Sequence, residues 1–158
     1  MDNFGKEKIG LIGGGLAVSS GARRYSGYKK AIQSCGFGYE DEYVILAKQY
    51  SIENGRLYAR ELLNRGVDGI FVSDNVLTMG AVLELNNQGI KIPEDIGIVG
   101  YDDFDWMDMI TPPITTVKQK AYQMGYVAAE MIMRKLNGMD VNEKVMLDTS
   151  IVMRKSHG

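Results

Sequence analysis

The chain has little of the residues that carry most covalent and metal chemistry. It holds one cysteine, Cys35, and one histidine, His157, in 158 residues. A single cysteine excludes an internal disulfide and any cysteine-rich metal site. Its helical spacing with Tyr25, Tyr28 and Ile32 places Cys35 on an apolar helix face, so it reads as a packing residue. With the one histidine beside the last residue, no Ser/His/Asp or Cys/His set can be assembled. No apolar stretch is long enough to span a bilayer. The start, MDNFGKEKIG, lacks the apolar core of a signal peptide. The cytoplasm is therefore the expected compartment, with no membrane partner. A basic excess is also missing: the net charge is −2, which gives no footprint for nucleic acid. Neither a metal nor a cofactor is expected.

What is present is ordinary for a globular protein: 45% apolar and 24% charged residues, in a length that suits one compact domain. Four short apolar runs recur, each followed by a helical pattern. Ile9 to Ile12 closes in Gly13-Gly14-Gly15 and leads to a helix from about Ser20, with Gly36 as its C-cap. Tyr43 to Ala47 leads to a helix capped by Ser51 and stopped by Gly66. Gly69 to Val72 leads to a helix over about 76–87, stopped by Gly89. Ile96 to Val99 is the fourth. Strands alternating with helices at these lengths predict an α/β fold with a parallel sheet between helical layers.

After Pro113 the pattern changes. Ile114 to Val117 is β-branched and extended. A long helix is predicted over about 119–136, and residues 144–153 read as one or two closing strands. The long helix is apolar on two sides: Ala121, Met124, Ala128 and Met131 on one, Tyr122, Tyr126, Ala129 and Met133 on another. That exceeds what one sheet face needs.

In a parallel α/β sheet, ligands bind outside the carboxyl ends of the strands. Those ends carry Ser19, Ser20, Arg23 and Arg24, then Gln49 and Tyr50, then Ser73, Asp74 and Asn75, then Asp102 and Asp103. Hydroxyls, a guanidinium, a ring and carboxylates together suit a polyhydroxylated ligand: carboxylates accept from neighbouring hydroxyls, Arg donates in a fixed fork, and a ring covers the apolar face of a sugar. Each residue alone has a plainer role. Asp74 can be a helix cap, Ser20 an N-cap, Arg23 a solvated charge. The loop after the first run lacks the third glycine of a dinucleotide fingerprint and the Lys-Ser of a P-loop. Asp102 and Asp103 are adjacent, so they point different ways and do not share one ion.

These residues resemble the lac-repressor/galactose-repressor class of bacterial regulators. GARRYSGYKKAIQSCG (21–36), GIFVSDNVLTMGAVLELNNQGIKIPEDIGIVGYDD (69–103), TPPITTVKQ (111–119) and IVMRKS (151–156) carry the resemblance. It implies the type I periplasmic-binding-protein fold. Residues 7–113 would form the C-terminal effector-binding lobe, and 114–158 a crossover strand, helix and closing strand that join the other lobe. Most of that lobe and a helix-turn-helix DNA-binding domain are not in the sequence. The implied function is effector sensing for a transcriptional regulator, with no catalysis. The effector would be a sugar or sugar derivative, held by Ser20, Arg24, Tyr50, Asp74, Asp102 and Gln119, the last of these resting on the resemblance alone. Asp103 would cap or orient its loop. DNA would be reached only through the missing domain. A homodimer would form through about Thr78 to Leu83 and Trp106 to Thr111. The family often has Asn-Asp where Asp74-Asn75 stands, which puts a carboxylate in place of an amide. A transporter's sugar-binding protein is the alternative, and a flavodoxin-like or phosphosugar enzyme a more distant one.

Overall fold

In the computed structural model the described residues are 7–141 and 144–158; the first six, which carry much of the leader reading, lie outside them. The elements run β1 (Ile9–Gly14), α1 (Ser19–Ser34), β2 (Val44–Ala47), α2 (Ile52–Asn64), β3 (Gly69–Val72), α3 (Asn75–Asn87), β4 (Gly97–Tyr101), α4 (Trp106–Met109), β5 (Thr115–Lys118), α5 (Ala121–Leu136) and β6 (Ser150–Val152). All six strands join one sheet in the order β2-β1-β3-β4-β5-β6. The first five are parallel, and β6 runs antiparallel to β5. The predicted βα units are all present.

Two cores form, one on each side of the sheet. Ile12, Ile70, Val72 and Ile98 point to one side, where Ala59 and Leu62 of α2 and Leu77, Ala81 and Leu85 of α3 seal them completely. Alternation sends Leu11, Ile9 and Phe71 to the other side, where Tyr28 and Ile32 of α1 cover them. Helices on both faces are what a parallel sheet requires. The stop signals work as expected: Gly36, Gly66 and Gly89 follow α1, α2 and α3 with φ between 69 and 75°, the left-handed conformation that lets a final turn close. Ser51 accepts the Asn54 N–H at 3.1 Å as the cap of α2.

Several expectations need correcting. Cys35 is not packed; it is the exposed C-cap of α1, because the covered stripe of that helix ends at Ile32. Ser20 is not an N-cap. Val18 holds that position, and Ser20 lies in the first turn. In residues 144–153 only Ser150–Val152 is a strand. The crossover strand after Pro113 pairs with β4 from Thr115 to Val117. Thr115, Thr116 and Ser156 are buried there. What stands outside the layers is α5, on which no residue is buried. Tyr122, Tyr126, Met133 and Leu136 are largely exposed. Residues 144–147 lie along one flank of α5, where Lys144 to Leu147 share a shallow hollow with Gln119, Met124, Ala128 and Met131.

Candidate functional site

Because β2, β1, β3, β4 and β5 are parallel and consecutive in the sheet, their carboxyl ends form one rim. Tyr50 follows β2, Ser20 follows β1, Asp74 follows β3, Asp102 follows β4 and Gln119 follows β5. At a strand spacing of about 4.8 Å, this makes a shelf roughly 19 Å long. Arg24 sits one helical turn after Ser20, on the same side of α1. All six predicted ligand residues therefore lie along one edge.

Contacts link four of the strand ends. Arg24 donates to the Ser73 carbonyl at 2.7 Å and lies 3.6 Å from the centroid of the Tyr101 ring. The stacked cation is held between β3 and β4, beside Asp74 and Asp102. One of its five N–H donors is spent on Ser73. Asp102 Oδ1 accepts from the Gln119 amide at 2.5 Å, which ties β4 to the chain leaving β5. Tyr50 stands apart from this group, half exposed, with its hydroxyl over Gly14; a side chain at 14 would collide with it. Gly21 acts similarly at the start of α1, where an added Cβ would lie 2.5 Å from the Gly15 carbonyl. That close approach sets Ser20 and Arg24 against the end of β1.

The aspartates divide their oxygens between fold and shelf. Asp74 Oδ1 caps α3 by accepting from Val76 N (2.9 Å) and Leu77 N (3.0 Å), so the cap reading holds for that oxygen. Oδ2 is left without a partner among the described residues, as is Oδ2 of Asp102. Asp102 has φ 62°, and no other non-glycine among the described residues has positive φ. This conformation costs roughly 1–2 kcal/mol for an L-residue, less where a short polar side chain bonds locally. Such strain marks positions that the surrounding structure holds in place. Asp103 turns inward. Its carboxylate accepts from Thr116 (2.9 Å), Lys118 (3.0 Å) and Arg154 (2.8 Å). Burial alone would raise its pKa, but those donors, Arg154 foremost, hold it below the usual carboxylate range.

Reading the residues alone missed Tyr101 and Arg154. Tyr101 was legible in part: alternation along β4 puts it on the α1 side with Val99. Arg154 had no local signal. Among the described residues no cluster of three or more His, Cys, Asp or Glu could hold a metal, and no helix is long and apolar enough to cross a membrane.

A mostly parallel sheet with helices on both faces and a polar shelf at its carboxyl rim is the layout of a binding-protein-like α/β fold. The family model of the periplasmic binding protein-like domain matches residues 3–157, and the chain belongs to that family, in the form carried by LacI-type regulators. It is 30% identical to the HTH-type transcriptional regulator CelR of Thermobifida fusca over 96% of this chain and 45% of that protein. It is 28% identical to the ribose operon repressor of Haemophilus influenzae, over 96% and 46%. Among solved structures, the transcription regulator CcpA of Lactococcus lactis superposes with TM-score 0.90 at 28% identity, over 98% of this chain and 57% of that one. A CelR–cellobiose complex superposes with TM-score 0.87 at 29% identity, over 96% and 47%. The chain spans about half the length of the curated relatives it matches.

Proposed function

We propose that this chain is the C-terminal half of the effector domain of a LacI-type transcriptional regulator, that it senses a neutral sugar, and that it performs no catalysis. The observation that carries the reading is that Arg24, Asp74, Asp102 and Gln119 share one strand rim, with Arg24 held by Ser73 and Tyr101 and Gln119 bonded to Asp102. Two carboxylates on neighbouring strands each offer an uncommitted oxygen to hydroxyl donors, beside one guanidinium. Two carboxylates against one cation disfavour a phosphorylated ligand. The likeness to CelR, whose structure is known with cellobiose, supports the same class. Ser20, after β1, and Tyr50, after β2, extend the shelf. In this reading residues 114–158 are the crossover strand, helix and closing strand that join a second lobe, which closes over the shelf. The apolar flanks of α5 are the surface that lobe covers, and DNA binding resides in a helix-turn-helix domain outside this chain. The protein works as a cytoplasmic homodimer. The test is calorimetric titration of cellobiose, other neutral sugars and sugar phosphates into the two-lobed protein. Binding of a neutral sugar is expected, and tighter binding of a phosphate would overturn the reading.

A further inference from the structure

Asp102 and Asp103 have different tasks, and the second has its partner near the other end of the chain. The Asp103 and Arg154 side chains are each only 9% exposed. Besides Asp103, Arg154 Nη1 donates to the Ile114 carbonyl (2.8 Å) and to Thr116 Oγ1 (3.2 Å). Its Nε and Nη2 grip the two oxygens of Asp108. Its backbone N–H donates to Thr115 Oγ1 at 2.8 Å. One guanidinium thus ties the loop after β4, through Asp103, to α4, through Asp108, and its residue touches three successive positions leading into and along β5. The loop contains Asp102, the one non-glycine with positive φ among the described residues, whose N–H is anchored on the Val117 carbonyl at 2.9 Å. A left-handed aspartate persists only where its neighbours over-determine it. Around this turn those neighbours are Val117, Thr116, Lys118 and, through Asp103, Arg154.

We propose that Arg154 is a positioning residue: acting through Asp103, it holds the Asp102 turn in its left-handed conformation, so that the effector-facing carboxylate is fixed to β5 and β6, the two strands that lead to and from α5. This rests on the reading of Asp102 as an effector ligand. Any swing of α5 relative to the sheet then bends the chain beyond Lys118 and before Ser150. Gln119, the first residue past the clamp, bonds to Asp102 across that bend. An effector held by Asp102 and Gln119 therefore senses the angle of the hinge directly.

The test needs no ligand. Amide hydrogen exchange is measured on the 158-residue chain and its variants. Arg154→Met is expected to speed exchange at Asp102 and Met107 by about 10-fold or more while Leu11 and Val72 in the central strands keep their protection. Arg154→Lys, which keeps the charge but loses the fork, restores part of it. Asp108→Asn, on the exposed side of the clamp, loosens the same loop more weakly. Uniform acceleration through the sheet, or an unchanged loop, overturns the proposal. If Arg154→Met fails to fold, the Lys and Asn variants decide by the same criterion. Cellobiose titration of Asp102→Asn in the two-lobed protein tests the ligand reading separately. Unchanged affinity there removes Asp102 as a ligand and leaves the exchange result standing. If that variant binds more weakly, Arg154→Met must weaken binding too, with a combined loss smaller than the product of the two.

Discussion

The Gln119 amide donates to Asp102 across the gap between the ends of β5 and β4. One partner is fixed in a strained turn of the sheet; the other is the first residue of the chain segment that carries α5 outward. A ligand that competes for either group acts where the layered part of the molecule meets the part standing outside it.

Removing either charged partner of the effector weakens binding. For Arg24→Ala and Asp102→Ala in the two-lobed protein, calorimetry should show losses on the order of 2–5 kcal/mol, the usual range when one side of a buried charge-assisted bond is truncated. Arg24→Lys should lose most of the same affinity, because an ammonium cannot both stack on Tyr101 and bond to Ser73 in one planar geometry. Unchanged affinity in all three variants would remove the assignment.

Backbone conformation at Asp102 should separate stability from binding. Glycine adopts φ near 62° freely, and alanine does not. Both substitutions lose the Gln119 bond, so the difference between them isolates the strain. Denaturant unfolding should find Asp102→Gly more stable than Asp102→Ala by about 1 kcal/mol, while both fail to hold the effector.

Acid should weaken the contact between α2 and α3. Glu84 is buried on α3 and accepts from Gln88, Arg60 and Arg56. The Gln88 hydrogen bond, opposed by burial and reinforced by the two arginines, brings its pKa down from 4.5 to about 2. A depressed carboxyl stabilises the fold fully above its ordinary pKa, and the contribution drains away as pH falls from 4.5 toward 2. Glu84→Gln should flatten the pH dependence of the melting temperature in that window. Removing Arg56 and Arg60 together strands a buried carboxylate and should cost roughly 3–5 kcal/mol.

The same helix pair tolerates no bulk at its crossing. A Cβ on Gly55 would lie 2.5 Å from the Leu77 carbonyl oxygen, and one on Gly80 would strike Ile52 backbone. Gly55→Val should force the helices apart and destabilise the fold by about 3 kcal/mol or more, read as a lowered denaturant midpoint.

Self-association through α3 and α4 is the last expectation. Leu83 and Met109 are exposed, and Trp106 is partly packed on the core; Val82, within the Thr78 to Leu83 stretch, is buried. Light scattering should give the mass of two chains, and Leu83→Asp with Met109→Asp should halve it. A monomer at high concentration before any substitution would count against the dimer.

Much of the architecture was readable in advance because it depends on local periodicity. Apolar runs, helical spacing and Gly36, Gly66 and Gly89 are near-neighbour signals, and the parallel sheet follows from their alternation. The shelf was readable for a related reason. Once strands are parallel, the residues after each one must share an edge, so Ser20, Arg24, Tyr50, Asp74 and Asp102 could be grouped without coordinates.

Other features depended on contacts between distant parts of the chain. Nothing near Arg154 shows that it pairs with Asp103. Nothing near Tyr101 shows that Arg24 will lie on its ring. Val82 and Leu83 look alike in sequence, and only the position of α3 against its neighbours buries one and exposes the other. The β-branched run after Pro113 reads as a strand, but only the fold shows that Thr115 and Thr116 find partners in Ser156 and Asp103. Local sequence determines which elements form and which way their side chains alternate, since torsional preference and burial period act over a few residues. Which buried charge meets which partner is decided by the packed fold, where desolvation makes only satisfied pairings tolerable.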